Sequence, residues 1–451
     1  MQLFTLTPGR RALLAGLLCA GVAALAGPLG RLGLVLPLLL LAPGYLAERA
    51  TPTARLSILA RLALWVALSL SLMALLYLWL STCGLALSDP LLWALTTLLA
   101  LATLAAAWCD LGTPTAVGYR PSPQAYLLLG IFAITLWARI SQVEGLALPA
   151  WVDSLHHALM VRIAAETGRI PTSLRPYLPV DDLPYHWGYH VFTATLMRLS
   201  GLELPETLII PGQILNALCG LLVAGLAHYL WRRPTAAIGA ALAVGLISAM
   251  PAYYVSWGRY TQLCGLLMLP GLAIAWGEAL RVGGRSRWAL VALLLAGLSL
   301  VHFRVLLFAL ALLLTQALVW WLGPVSRRRA RLLGGAGAGV AAIMLTMPWL
   351  ALLVRRALLP ALEKSGGLAG GGSYNALSPA LLWSASNELL IGLALLGAWL
   401  GLRRRASAAL IMALWIALLA IESNPWMIVY LTPGAGVLLL LWGLRRRSLP
   451  T

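Results

Sequence analysis

Residues 56–81 read LSILARLALWVALSLSLMALLYLWLS, and residues 333–354 are as apolar. About 20 apolar residues in a helix suffice to cross a hydrocarbon core ~30 Å thick. Over the whole chain AVILMFWYC make up 61% of the 451 residues, and 32 Lys+Arg with 14 Asp+Glu make up 10%. A soluble protein carries about 25% charged residues, so a soluble enzyme is excluded and an all-α polytopic membrane protein is predicted. The net charge of +18 does not point to nucleic acid, because the basic residues fall in short clusters at the ends of apolar runs. There they act as topology signals and as charge facing lipid headgroups.

The five cysteines (Cys19, Cys83, Cys109, Cys219, Cys264) have no paired spacing, which argues against a disulfide framework or a CxxC metal site. Arg10-Arg11 before an apolar run imitates a signal peptide, but the next apolar run follows directly, so residues 1–30 read as the first span.

Cutting at charge clusters and Pro/Gly breaks predicts about fourteen transmembrane helices. Their cores are 12–27, 32–47, 57–81, 90–108, 125–142, 206–230, 235–250, 260–280, 288–302, 304–323, 333–354, 380–402, 406–422 and 425–444. Arginines cluster at Arg10-Arg11, Arg49/Arg55, Arg232-Arg233, Arg281/Arg285/Arg287, Arg327-Arg328-Arg329/Arg331, Arg403-Arg404-Arg405 and Arg445-Arg446-Arg447. Fourteen crossings put every cluster on one side, which is then the cytoplasm, with both termini there. The expected location is the plasma membrane, multi-pass.

On the other side the connections are short except for 143–205 and a Gly-rich segment, 355–379. The first holds six of the fourteen acidic residues and four of the six histidines. A connection this long, neither apolar nor low in complexity, carries function more often than structure. Within it, 152–168 reads as an interfacial helix ended by Gly168 and Pro171, and about 188–199 as a second, joined by an acidic, Pro-rich strap. Three segments follow: 1–124, a four-span N-terminal extension; 125–330, carrying the outer loop 143–205; and 331–451, with the loop 355–379.

Four groups of residues can carry chemistry. Asp153 precedes His156 and His157 by three and four residues, so a helix sets carboxylate and imidazole on one face. Such a carboxylate can take a proton from an acceptor hydroxyl; its plainer role is capping the helix. In the strap, Asp181 and Asp182 can hold a divalent cation (Mg or Mn), and His186 and His190 at i,i+4 can share a zinc ion. The general-base glutamate of a zinc protease motif is absent. The alternative is a set of interfacial anchors. Arg259, His302 and Arg304 lie near the outer ends of later spans, where an arginine fork matches phosphate oxygens or snorkels to the interface. The glycine-rich loop around Lys364, the only lysine, lacks the GK[ST] ending of a phosphate-binding loop and reads as an outer lid.

An apolar span is followed by Asp153-Ser154-Leu155-His156, the exit Gly168-Arg169-Ile170-Pro171, and Tyr185-His186-Trp187-Gly188-Tyr189-His190 entering a helix. This order resembles the GT-C superfold of membrane glycosyltransferases, most closely over 125–310. The resemblance implies a polyprenyl-phosphate-linked sugar as donor, a catalytic acidic residue in the first outer loop beside two juxtamembrane helices, and downstream arginines facing the lipid phosphate. Two features depart from the pattern: four spans precede residue 125, and the usual acidic pair is reduced to Asp153.

The expected function is sugar transfer from a polyprenyl-phosphate donor to an acceptor on the extracytoplasmic face. Asp153, His156 and His157 are the catalytic candidates. Asp181, Asp182, His186, His190, Arg259, His302 and Arg304 are the substrate-binding candidates. The expected partners are that donor and the lipid bilayer, without nucleic acid. A multi-span transporter or flippase of lipid-linked sugars is the competing class, and a haem- or metal-handling protein using the Trp/His-rich loop is a third.

Overall fold

The structure, a computed structural model, describes residues 8–51, 56–111, 122–323, 328–360, 387–404 and 406–422. Among these residues the secondary structure is helical, without strands. In lipid, backbone N–H and C=O groups find no water, and a helix satisfies them within one segment. The chain runs through α1 (Pro8–Leu25), α2 (Pro28–Arg49), α3 (Ile58–Thr82), α4 (Asp89–Leu111) and α5 (Pro123–Ser141). The outer loop follows with α6 (Val152–Thr167) and α7 (Gly188–Ser200). Next come α8 (Leu204–Trp231), α9 (Pro234–Leu242), a π-helical turn (Ala243–Ile247), α10 (Ala249–Ala252) and α11 (Tyr254–Trp257). The remainder is α12 (Tyr260–Arg281), α13 (Arg285–Val301), α14 (Phe303–Trp321), α15 (Arg328–Leu353) with a π-helical turn (Val354–Leu358), α16 (Asn387–Arg403) and α17 (Ser407–Glu422).

Among the described residues, eight helices are long and apolar enough to cross a membrane: α2, α3, α4, α5, α8, α12, α14 and α15. A ninth crossing results if the pair on either side of Ser248, bent by 57°, counts as one broken span. The expected fourteen is a larger number for a physical reason. At 18, 17, 17 and 16 residues, α1, α13, α16 and α17 coincide with predicted runs but are shorter or more polar than a full crossing needs. The run 425–444, Lys364 and most of the Gly-rich segment lie outside the described residues.

The inner helices are α3, α8 and α12, with 61%, 78% and 83% of their most apolar windows buried, against 11% for α4 and 22% for α5 and α15. Leu98, Leu101, Trp137, Val340 and Met344 on those outer helices are 59–70% exposed. In water such a belt would be an aggregation surface; in a bilayer lipid tails cover it. α12 approaches α3 closely at Gly271, where a Cβ would come within 2.4 Å of the Ala63 carbonyl. Small residues are what permit such contact between membrane helices. The segment 1–124 supplies α3, one of the three inner helices, and one apolar cluster runs from Leu32 to Ile411 through all three expected segments.

The two ends of the bundle differ. At one, Arg10 donates to the Trp108 carbonyl at 3.2 Å, Arg49 pairs with Asp110 at 3.0 Å, and Arg331 donates to the Val282 carbonyl at 2.6 Å. At the other, Leu87 N–H donates to the Gly168 carbonyl at 2.8 Å, and Trp349 Nε1 donates to the Tyr185 carbonyl at 3.2 Å. The arginine clusters that are described gather at the first end, and α6, α7 and the strap lie at the second.

Candidate functional site

At the strap end four chain segments meet around a cavity of about 290 Å³. α6 brings Asp153 and His157; the strap brings Tyr185 and His186; the start of α12 brings Arg259, Thr261 and Gln262; and the break between α13 and α14 brings His302, Phe303 and Arg304.

Local sequence explains each placement. Trp151 occupies the cap position of α6 and makes no side-chain capping bond, so Asp153 lies inside the first turn and is not the cap. There its charge faces the positive end of the helix dipole. Positions 153 and 157, four apart, share the cavity face, whereas His156 is exposed and does not line it. That is a correction to the expected trio: the ~100° step per residue turns His156 away. α6 ends at Gly168, as the sequence predicts.

α12 is delivered to α6 by Gly258. Its φ of 59° is left-handed, and a Cβ there would stand 2.0 Å from Ser154 Oγ. Only glycine fits both conditions, and the next residue, Arg259, comes to lie with Nε 3.6 Å from Asp153 Oδ2. His302 sits between α13 and α14, its Nδ1 accepting from the Val305 N–H at 3.3 Å. In the neutral ring the proton is then on Nε2, which makes His302 a donor.

His157 is 5% exposed, and its Nδ1 lies 3.0 Å from Nε2 of His190, which is fully buried behind it. Burial pushes His157 down to about 4, with Asp153 opposing the shift, and holds His186 and His190 well below the ordinary histidine value. Near neutral pH these rings are uncharged. The full charges lining the cavity are then one carboxylate, Asp153, and two guanidinium groups, Arg259 and Arg304, a net of +1. His186 is 3% exposed, stacks on Tyr185 with ring centroids 4.0 Å apart, and has no hydrogen-bond partner for either nitrogen among the described residues. A buried polar ring of this kind, lining a cavity, is suited to meeting a ligand.

The strap aspartates lie elsewhere. Asp181 accepts from Arg175 Nε at 2.8 Å and from Ser173 at 2.9 Å, and Asp182 pairs with Arg356. Neither lines the cavity. His186 precedes α7, so it does not share a helix face with His190. Among the described residues no three His, Cys, Asp or Glu side chains group as metal ligands. A single cavity carboxylate beside two arginines does not fit a divalent cation, which needs several oxygen ligands. Arginines neutralise the strap carboxylates that the sequence offered as ligands for Mg or Mn.

Sequence reasoning missed Tyr185, Thr261, Gln262 and Phe303 as lining residues. It also missed Arg139 of α5, 4% exposed, whose Nε donates to Asn216 Oδ1 at 2.9 Å and whose Nη2 donates to the Gly245 carbonyl at 2.6 Å. Asn216 Nδ2 in turn donates to the Pro251 carbonyl at 2.8 Å. These bonds satisfy carbonyls along the broken span that leads to Arg259. The signal was available as an arginine within an apolar run.

The model of a family described as being of unknown function, DUF6541, matches residues 37–434. No curated protein and no solved structure matches the chain.

Proposed function

We propose, for a chain that belongs to the DUF6541 family, transfer of a sugar from a polyprenyl-phosphate donor to an acceptor hydroxyl at the strap end of the bundle. The observation that carries this reading is the cavity itself, where a carboxylate, two arginines and neutral histidines from four distant segments meet at the end of a membrane bundle. Its net charge of +1 suits a phosphate diester, and the arginine forks suit its oxygens. In the step, Asp153 takes the proton of the acceptor hydroxyl, the acceptor oxygen bonds to the sugar's anomeric carbon, and the sugar–phosphate bond breaks. The polyprenyl phosphate leaves with the bonding electrons and is stabilised by Arg259 and Arg304. The leaving group stays in lipid throughout.

The same reading gives about fourteen crossings in the plasma membrane, with the arginine-rich end and both termini in the cytoplasm. Asp153→Asn tests the chemistry: it keeps the shape and removes the base. Loss of transfer with retained donor binding is the expected result. Transfer at the wild-type rate would overturn it. The broken span around Ser248 favours a second reading, a flippase of lipid-linked sugars, since transporters use discontinuous helices. A flippase would move donor across vesicles without transferring the sugar.

A further inference from the structure

A second polar cavity, of about 200 Å³, lies at the arginine-rich end, lined by Ser57, His228, Tyr229, Arg232, Glu278 and Arg281, with Leu56 and Ala60 as its apolar wall. It is at the opposite end of α12 from Arg259, roughly 30 Å away along a helix rising 1.5 Å per residue. Glu278 is 5% exposed and is held by Arg281 Nη2 at 2.7 and 2.9 Å and by the Tyr229 hydroxyl at 3.2 Å. That pair is internally neutral. Arg232 is the cation in excess, its guanidinium 5.9 Å from the Tyr229 ring centroid. It closes α8 in a left-handed conformation, φ 57°, which a long side chain seldom adopts.

We propose that this cavity binds the phosphate headgroup of an anionic lipid of the leaflet opposite the first cavity, with phosphatidylglycerol as the best fit. The cavity opens where α3 begins and α8 and α12 end, at headgroup depth for a bundle of this length. Its net charge of +1 matches one phosphodiester, and the half-buried Leu56 gives the cavity an apolar edge. An ionised carboxylate accepts about four hydrogen bonds. Glu278 Oε1 is occupied by Arg281 and Tyr229, and Oε2 takes one bond from Arg281. Oε2 therefore keeps a place for a headgroup hydroxyl, which glycerol offers and choline does not. The site does not depend on any activity at the other end.

The test is binding to the purified full chain in detergent, read by native mass spectrometry and by thermal shift, with phosphatidylglycerol, phosphatidylcholine and inorganic phosphate as separate probes. Phosphatidylglycerol should be retained and should raise the melting temperature, with phosphatidylcholine weaker and inorganic phosphate without effect. Arg232→Asn suits the left-handed backbone and removes the fork, and should weaken phosphatidylglycerol binding about tenfold. Ser57→Asp keeps the α3 cap and adds a negative charge to the cavity, and should weaken it similarly. Unchanged phosphatidylglycerol affinity in these variants, or equal affinity for phosphatidylcholine, would sink the proposal. Saturable inorganic phosphate binding that needs Arg232 would make it a site for a soluble phosphate and overturn the lipid assignment.

Discussion

His157 Nδ1 and His190 Nε2 lie 3.0 Å apart, joining α6 to α7 through two neutral imidazoles behind the strap-end cavity. The contact orients the one ring of the pair that lines that cavity. His190→Ala leaves the buried His157 nitrogen without its partner, a loss of about 1–3 kcal/mol. A clear fall in melting temperature is expected, and an unchanged melt would show that the bond does not form.

The buried histidines make stability depend on pH with a definite sign. The folded value of His157 is about 4, below the unfolded 6.5, so the unfolded chain binds the proton first. Its contribution is full above pH 6.5 and is lost as pH falls toward 4, at ~1.4 kcal/mol per pH unit per group. His186 and His190 shift in the same direction. Melting temperature should therefore fall from pH 7 to pH 5, less steeply in His157→Gln, and a flat profile would refute neutral burial.

Arg139 holds the broken span through Asn216 and the Gly245 carbonyl. Arg139→Leu leaves these buried acceptors unmet, a cost of about 1–3 kcal/mol. The melting temperature should drop, and donor binding should weaken because the freed segment leads to Arg259. Wild-type values for both would show that the network is dispensable.

If Arg259 and Arg304 grip a lipid phosphate, lysine in either position keeps the charge but loses the planar fork. Donor affinity should fall about tenfold in each with little change in melting, since charge-assisted hydrogen bonds contribute ~1.5–3 kcal/mol. Equal affinity in both variants would mean that they serve only to meet the interface.

The strap should face outward. Leu178 is 39% exposed there, so Leu178→Cys, with the exposed Cys83 and Cys109 changed to Ser, should react with an impermeant thiol reagent on intact cells. Added labelling seen only after lysis would invert the topology.

The bilayer setting, the helical class and the two loop helices were legible in the sequence, because apolar length and Gly/Pro punctuation act locally. So was the attention given to Asp153, His157, His186, Arg259, His302 and Arg304, through charge placed beside apolar runs. Their meeting in one cavity was not legible. It depends on Gly258 admitting Ser154 and on the close packing of α12 against α3, contacts between residues about a hundred to two hundred apart. His156 and His157 both lie within about one turn of Asp153, and the packing of α6 against α7 set which of the two the ~100° step turns into the cavity. Composition offered Asp181 and Asp182 as a cation site, and the fold paired them with Arg175 and Arg356. Which segments can leave water follows from local composition, because hydrophobic free energy scales with the apolar surface each segment carries. Which polar groups face one another is set by packing between distant segments, because a charge takes its role from the partners brought within a few ångströms.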